Sequence, residues 1–277
     1  MPATEVAEII SYSYSHVGKV REDNQDCVRL CNPVDELTLT DGHLYGIADG
    51  MGGYAHGGVA SSLALQTFFE TFYAANGVPP AQKLRVGIQN ANLSVYQTAQ
   101  RLGAGRMGTT LTAVNIVGSR LHIAHVGDSR AYLIRDRRSK CLTNDHTRVG
   151  ELVRMRVLSP EKVRTHSQRS MLDKCLGMEL FVQPDIFHVP VQTGDVIVLC
   201  SDGVWATIQD DEFARLVVES NDQDNLCRHI VELAMERDSD DNLSIVILYL
   251  KRIVSTTDLE KEGLLTPLAG ILRRLFK

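Results

Sequence analysis

Four aspartates, Asp49, Asp128, Asp202 and Asp241, lie far apart in this chain yet share one local setting. Each closes or opens a β-like apolar run and has Gly or small polar residues beside it, in LYGIADGMGG, LHIAHVGDSRAYL, VIVLCSDGVW and DSDDNLSIVIL. A bare carboxylate at a strand end is costly unless its charge is compensated. A hard divalent cation compensates it, because carboxylate, carbonyl and water oxygens are the ligands that Mg²⁺ and Mn²⁺ accept. The set reads as a carboxylate-built, two-metal hydrolytic centre acting on a phosphate ester. In ADGMGG the chain must turn sharply after Asp49, and Gly50, Gly52 and Gly53 permit backbone angles closed to other residues. Asp49 can bridge two cations there, and the Gly50 carbonyl can add another hard oxygen. Taken singly, each motif has an ordinary alternative: Asp-Gly is a common turn, and Asp238 to Asp241 can be a solvated acidic loop.

The elements that must position these residues alternate in blocks. Residues 8–31 read as short strands broken by KVREDNQD, and residues 44–49 as a strand ending at Asp49. SSLALQTFFETFYAA and a stretch at about 81–101 space their apolar residues as helices, with the Pro pair of NGVPP suited to helix entry. TTLTAVNIV, RLHIAHV and RAYLIRD are β-branched and aromatic, and read as an antiparallel meander. RVGELVRMRVL is a short helix, FVQPDIFHVPV and DVIVLC are strands, DDEFARLVVES and DNLCRHIVELAMERD are amphipathic helices, and LSIVILYLKR is a closing buried strand. Such separate blocks predict an α+β layered domain or sandwich, not a doubly wound parallel sheet. Residues 251–277 stand apart as a tail, possible as an amphipathic docking segment, although Pro267 and Gly270 interrupt one continuous helix.

Of 277 residues, 44% are hydrophobic and 23% charged, enough for a core in one large domain. The net charge of -5 argues against a nucleic-acid binder, which carries a basic surface. The six cysteines form no CxxC pair, and several sit in apolar runs, as buried free thiols do. No secretory leader and no apolar run of membrane-spanning length is read, so the expected location is the cytoplasm.

In order along the chain, GKVREDNQD, ADGMGGYAHGGVAS, MGTTLTAV, AHVGDSRAYLI, LTNDHT, LSPEKVRTHSQRSMLDKCLG, GDVIVLCSDGVW and DSDDNLSIVIL together resemble the metal-dependent Ser/Thr protein phosphatases of the PPM type, the type 2C family, in its bacterial form. The resemblance spans roughly residues 16–250, within a domain placed at 8–250. It implies a central antiparallel β-sandwich flanked by helices on both sides, with a binuclear metal centre at one end. It implies Mn²⁺ or Mg²⁺ as cofactor, Asp49 bridging both ions with the Gly50 carbonyl on one, Asp202 and Asp241 on the other, and Asp128 at a third, weaker ion. Arg21 matches the arginine that grips the substrate phosphate, Asp26 an acidic residue near the ion-bound waters, and Asn242 sits beside a ligand that it could orient. Phosphoserine and phosphothreonine monoesters of proteins are the implied substrates, hydrolysed by direct attack of an ion-bridging hydroxide without a phosphoenzyme. The implied setting is signalling opposite a Ser/Thr kinase, with the enzyme a monomer.

The chain departs from the family pattern in places. Gln25 stands where a carboxylate is expected beside Asp26, which should weaken metal affinity. Met51 stands where animal members have a histidine proposed as general acid; His56 nearby reads as a loop histidine. Gly58 replaces a commonly acidic residue. His122 and His125 read as core or surface residues, not ligands. Residues 146–175 match the family's flap, where Arg148, Arg154, Arg156, Lys162, Arg164 and Arg169 could meet a phosphorylated partner or form a solvated face. Two other functions on the same residues are a phosphoprotein-binding module without turnover and a two-metal phosphodiesterase or nuclease. The first needs lost ligands, and none is lost; the acidic charge speaks against the second.

Overall fold

A strand that is apolar on both faces must be covered on both faces. Leu243–Arg252 is such a strand: Ile245, Ile247 and Tyr249 pack on one side of it, and Val246, Leu248 and Leu250 on the other. The computed structural model describes residues 7–31, 41–51, 56–104 and 106–253, and shows how that requirement is met. Gly52, Gly53 and the tail from residue 254 onward lie outside the described residues.

The strands are β1 (Glu8–His16), β2 (Asp26–Arg29), β3 (His43–Met51), β4 (Gly108–Thr109), β5 (Leu111–Val117), β6 (Arg120–Val126), β7 (Arg130–Arg135), β8 (Arg138–Cys141), β9 (Asp185–Pro190), β10 (Val196–Cys200) and β11 (Leu243–Arg252). The helices are α1 (Gly57–Ala74), α2 (Pro80–Leu102), α3 (Arg148–Arg154), α4 (Asp202–Trp205), α5 (Asp210–Glu219) and α6 (Gln223–Glu236). One sheet has the order β1-β11-β10-β7-β8 and the other β2-β3-β5-β6-β9, with β4 beside β3; all described pairs are antiparallel.

Three apolar layers result. Tyr45, Ile47, Val114, Ile123, Ile197 and Leu199 fill the space between the sheets. Phe68, Phe72, Leu84 and Ile88 of α1 and α2 cover the outer face of one sheet. Phe213, Val217, Ile230 and Val231 of α5 and α6 cover the outer face of the other. The expected sandwich with helices on both sides is therefore the observed α+β architecture.

The expected meander of three strands is corrected. β5 and β6 pair, but β7 leaves their sheet and pairs with β10 and β8. The edge of β6 is taken by β9, whose sequence lies about sixty residues on. β7 buries Ala131 in the inter-sheet layer and Tyr132 and Ile134 against α5 and α6, so it needs covering on both faces. The crossing between sheets is VGDSR, and it carries Asp128. Gly127 makes the crossing possible: its φ is +110°, and a Cβ there would lie 2.5 Å from the Thr110 side chain.

Candidate active site

The two sheets present strand ends to one cleft of about 600 Å³. β3 delivers Asp49, Gly50 and Met51; the β6–β7 crossing delivers Asp128; the end of β10 delivers Asp202 as the first residue of α4; and the turn before β11 delivers Asp241 and Asn242. The β1–β2 loop brings Arg21, Glu22, Asp23 and Gln25, and the flap contributes Ser170 and Leu172. All four aspartates singled out by sequence line this one cavity. Asp26 lies directly beneath, as the cross-strand partner of Asp49.

Each side chain is held by an identifiable neighbour. The Asp49 main chain is locked by Thr110, whose Oγ1 accepts the Asp49 N–H at 2.9 Å, while Thr109 Oγ1 donates to the Asp49 carbonyl at 2.9 Å. Gly50 must be glycine, since a Cβ would lie 2.2 Å from the Gly57 carbonyl oxygen. Its N–H donates to the Gln25 carbonyl at 3.1 Å, which ties the β1–β2 loop to β3. Ser201 Oγ donates to Asp26 Oδ2 at 2.8 Å and accepts the Ser244 N–H at 3.0 Å. Arg21 Nη2 donates to Asp241 Oδ2 at 2.9 Å from a half-exposed position at the mouth.

Asn242 acts differently from the expectation. Its main-chain N–H holds Asp241 Oδ1 at 2.9 Å, but its side chain turns away. Nδ2 donates to the Val17 and Asp23 carbonyls at 2.8 and 3.0 Å, and Oδ1 accepts the Gln25 N–H at 2.9 Å. One buried amide thus pins the loop that carries Arg21. Asn242→Ala strands the Gln25 N–H and frees the loop. It should cost about 2 kcal/mol in urea unfolding, and more in KM than in kcat for a phosphorylated substrate.

The electrostatics are one-sided. Burial, then Asp26, Asp202, Asp128 and Asp241, push the Asp49 carboxyl well above the usual range. Burial, then Asp202 and Asp145, do the same to Asp128 against the pull of Arg130. Burial, then Asp241 and Asp26, bring Asp202 to about 7. Asp26 rises to about 6, first by burial, against hydrogen bonds from Ser244 and Ser201. Among the described residues, no donor reaches the buried Asp202 Oδ1 and Asp26 Oδ1, which crowd against the Asp49 carboxyl. Crowded carboxylates with orphaned oxygens are what a hard cation stabilises, so the donor set fits Mn²⁺ or Mg²⁺. Among the described residues no three His, Cys, Asp or Glu side chains close on a single point as they stand. Asp241 is instead turned to Arg21.

A second tier supports the cleft and was not legible in the motifs. α4 begins with Asp202 and ends with Trp205, whose indole N–H donates to the Asp128 carbonyl at 2.8 Å. Arg130 lies 3.7 Å over that indole and makes paired bonds of 3.0 and 2.8 Å to Asp145. The serine in SDGVW and the arginine in GDSR were the available signals, but neither says where its side chain points.

The flap is bound at its ends, through the Thr147–Leu172 bridge and the Arg148 N–H to the Met171 carbonyl at 2.9 Å. Its cations divide. Arg164 points inward to the Trp205 and Ile208 carbonyls and Asp210. Arg154 pairs with Glu151 and Arg169 with Asp240. Arg148, Arg156 and Lys162 are exposed. No histidine is among the residues lining the cleft, His56 included, and Met51 faces it. His125 is buried between the sheets, bonded to Thr112 and the Asn144 carbonyl, with burial pushing its pKa to about 4. His122 pairs across strands with His188. None of the six cysteines is in a disulfide; Cys31, Cys200 and Cys227 are buried, and Cys27, Cys141 and Cys175 are partly exposed. A side chain at Gly58 would meet nothing closer than 3.7 Å, so packing does not demand glycine there.

A family model described as protein phosphatase 2C matches residues 10–243. The chain belongs to the protein phosphatase 2C family. It is 30% identical over 236 residues to the serine/threonine phosphatase stp of Listeria monocytogenes, an alignment covering 83% of this chain and 92% of that one. Among solved structures it resembles the PPM Ser-Thr phosphatase MsPP of Mycobacterium smegmatis in complex with cacodylate, with TM-score 0.74 and 33% identity over 87% of this chain and 98% of that one. It also resembles the catalytic domain of the phosphatase PstP in complex with 2 manganese ions, with TM-score 0.75 and 28% identity over 89% and 99%. The matched residues reach from within β1 to the first residue of β11, and no helix among the described residues is long and apolar enough to cross a membrane.

Proposed function

We propose that this protein is a Mn²⁺- or Mg²⁺-dependent phosphatase that hydrolyses phosphoserine and phosphothreonine in proteins. The observation that carries the reading is the meeting of Asp49, Asp128, Asp202, Asp241 and Arg21 in one cleft from five separate points of the chain. Asp49 and the Gly50 carbonyl would serve two core ions, Asp202 and Asp241 would complete them, and Asp128 would serve a third. Bound there, the ions would activate a water and stabilise charge on the phosphoryl oxygens.

The chain's own residues do the rest. Arg21 stands at the mouth and offers a planar fork that matches two phosphate oxygens. Asp241 holds that guanidinium in place before substrate arrives. Asp26, held by Ser201 through Oδ2, lies beneath Asp49, where its other oxygen would meet ion-bound water. With Met51 at the cleft and no histidine lining it, leaving-group protonation falls to water. Cysteines outside any disulfide suit a reducing cytoplasm, and a substrate cleft completed within one chain suits a monomer opposing a Ser/Thr kinase.

The test is hydrolysis of phosphothreonine peptides and an aryl phosphate with Mn²⁺, with EDTA and fluoride controls. Turnover should appear with Mn²⁺ and vanish with EDTA. Trp205, the only tryptophan, should also change its fluorescence as Mn²⁺ is titrated, because its N–H is bonded to the Asp128 carbonyl. No turnover of either substrate would end the enzyme reading.

A further inference from the structure

The floor of the cleft is charged, and beside the charged Arg21, Glu22 and Asp23 its surroundings expose large apolar side chains. Val20, the neighbour of Arg21, lines the cleft and is 66% exposed. On the segment that follows the flap's lining residue Ser170, Met171 is 54% and Met178 39% exposed. Met171 lies between the cleft-lining Ser170 and Leu172. Met178 lies beside Met51: their Cγ and Cε atoms are 3.2 and 3.1 Å from where a side chain on Gly108 would sit. Beyond Met178 the chain continues to Leu180 and to Phe181, which is 77% exposed.

Exposed large apolar side chains on and next to the segments that line an opening mark a contact surface. Their backbones are tethered, so the surface exists before a ligand arrives. Asn242 pins residues 17–25. The Arg148 N–H bonds the Met171 carbonyl, and Leu176 pairs with Thr109. Asn92 and Gln89 of α2 hold the carbonyls of Glu179, Leu180 and Val182. The loop bearing Arg21 also exposes Glu22 and Asp23 to the cleft, which sets a negative charge beside the phosphate position.

We infer that this rim reads the residues flanking the phosphate: the substrate is an extended phosphopeptide whose neighbours to the phosphorylated residue are large and apolar, not acidic. The inference rests on the phosphatase reading above and adds the substrate class. The occupant follows from continuity, since a peptide with its phosphate at Arg21 lies beside Val20 of the same loop and shares the cleft with Ser170, Leu172 and Met51, the neighbours of Met171 and Met178. Methionines adapt to different apolar partners, so the rim selects hydrophobicity more than shape.

The experiment compares kcat/KM for phosphothreonine peptides that differ only in their flanks, Leu and Phe, Gly, or Glu, at fixed Mn²⁺. Apolar flanks should exceed Gly flanks about tenfold, with Glu flanks below Gly. In the combined variant Val20→Ser, Met171→Gln, Met178→Gln the apolar-to-Gly ratio should fall to within about twofold. Equal rates for apolar and Gly flanks in the unaltered protein would overturn the inference, as would a preference that survives the triple substitution. If neither peptide nor aryl phosphate is hydrolysed, the phosphatase reading fails separately. The rim is then read by fluorescence anisotropy with labelled, non-hydrolysable phosphonate peptides. Tighter binding with apolar flanks still supports it, and equal binding sinks it.

Discussion

Asp49→Asn should abolish metal-dependent turnover, with kcat lower by about a thousandfold or more, while making the metal-free protein more stable at alkaline pH. Both effects come from the same crowding. As the proposed bridging ligand, Asp49 loses a charged oxygen on becoming an amide, and an amide is a poorer ligand for a hard cation. Without cations, however, that carboxylate is buried among Asp26, Asp202, Asp128 and Asp241, and ionises only against burial and their repulsion. A folded-state pKa above the unfolded value means that the native state binds more protons, so stability falls as pH rises. With Asp26 raised to about 6 and Asp202 to about 7, metal-free wild-type protein should lose stability progressively as pH rises from about 4, the loss from these two groups levelling off above pH 7. The Asn variant, lacking one charge, should lose less, and its advantage should shrink as pH falls towards 4. Thermal melts with EDTA across pH 5–8 check this, beside Mn²⁺-dependent assays. Wild-type kcat in the variant would overthrow the metal assignment.

The largest stability effect is expected away from the cleft floor. Arg130 is buried, with two bonds to a buried Asp145, one to the Tyr132 hydroxyl at 3.2 Å, and its guanidinium over Trp205. Arg130→Met leaves the Asp145 carboxylate buried without its partner and uncovers the indole. Breaking one side of a buried pair costs about 3–5 kcal/mol. Urea unfolding should show that loss, and the double variant Arg130→Met with Asp145→Leu should recover much of it, because the stranded charge is gone. Arg130→Lys should fall between, since lysine keeps the charge but lacks the fork and the planar face. Because Trp205 also bonds to the Asp128 carbonyl, the Met variant should weaken the metal response of Trp205 fluorescence. Unfolding indistinguishable from wild type would show the pair to be dispensable.

Much of this protein can be read from local pattern. Apolar spacing predicts α1, α2, α5 and α6, and nearly every strand, to within a few residues. The four aspartates stand out because acidic side chains at the ends of apolar runs conflict with their surroundings unless something compensates them. Arg21 and Asp26 emerge from their motif. All six share or adjoin one cleft, as the ordered resemblance implies.

Where local pattern misleads, the deciding contact is distant. TTLTAVNIV, RLHIAHV and RAYLIRD look alike, but β7 belongs to the other sheet because β9 occupies the free edge of β6. Arg164 and Arg148 lie on the same flap, yet one is anchored to Asp210 and the other exposed. The Asn242 side chain serves residues more than two hundred positions away instead of the ligand beside it.

By itself the sequence therefore determined the inventory: which segments form strands and helices, and which acidic residues demand a counter-charge. Those properties depend on side-chain type and on spacing along a few turns or pleats. Only the tertiary structure decided which sheet each strand joins, that Arg130 braces Trp205, and that exposed Val20, Met171 and Met178 lie on or beside the segments lining a charged cleft. Each of these depends on burial and on hydrogen bonds between residues far apart in the chain, and such pairings are settled by competition among all the surfaces that must be covered at once.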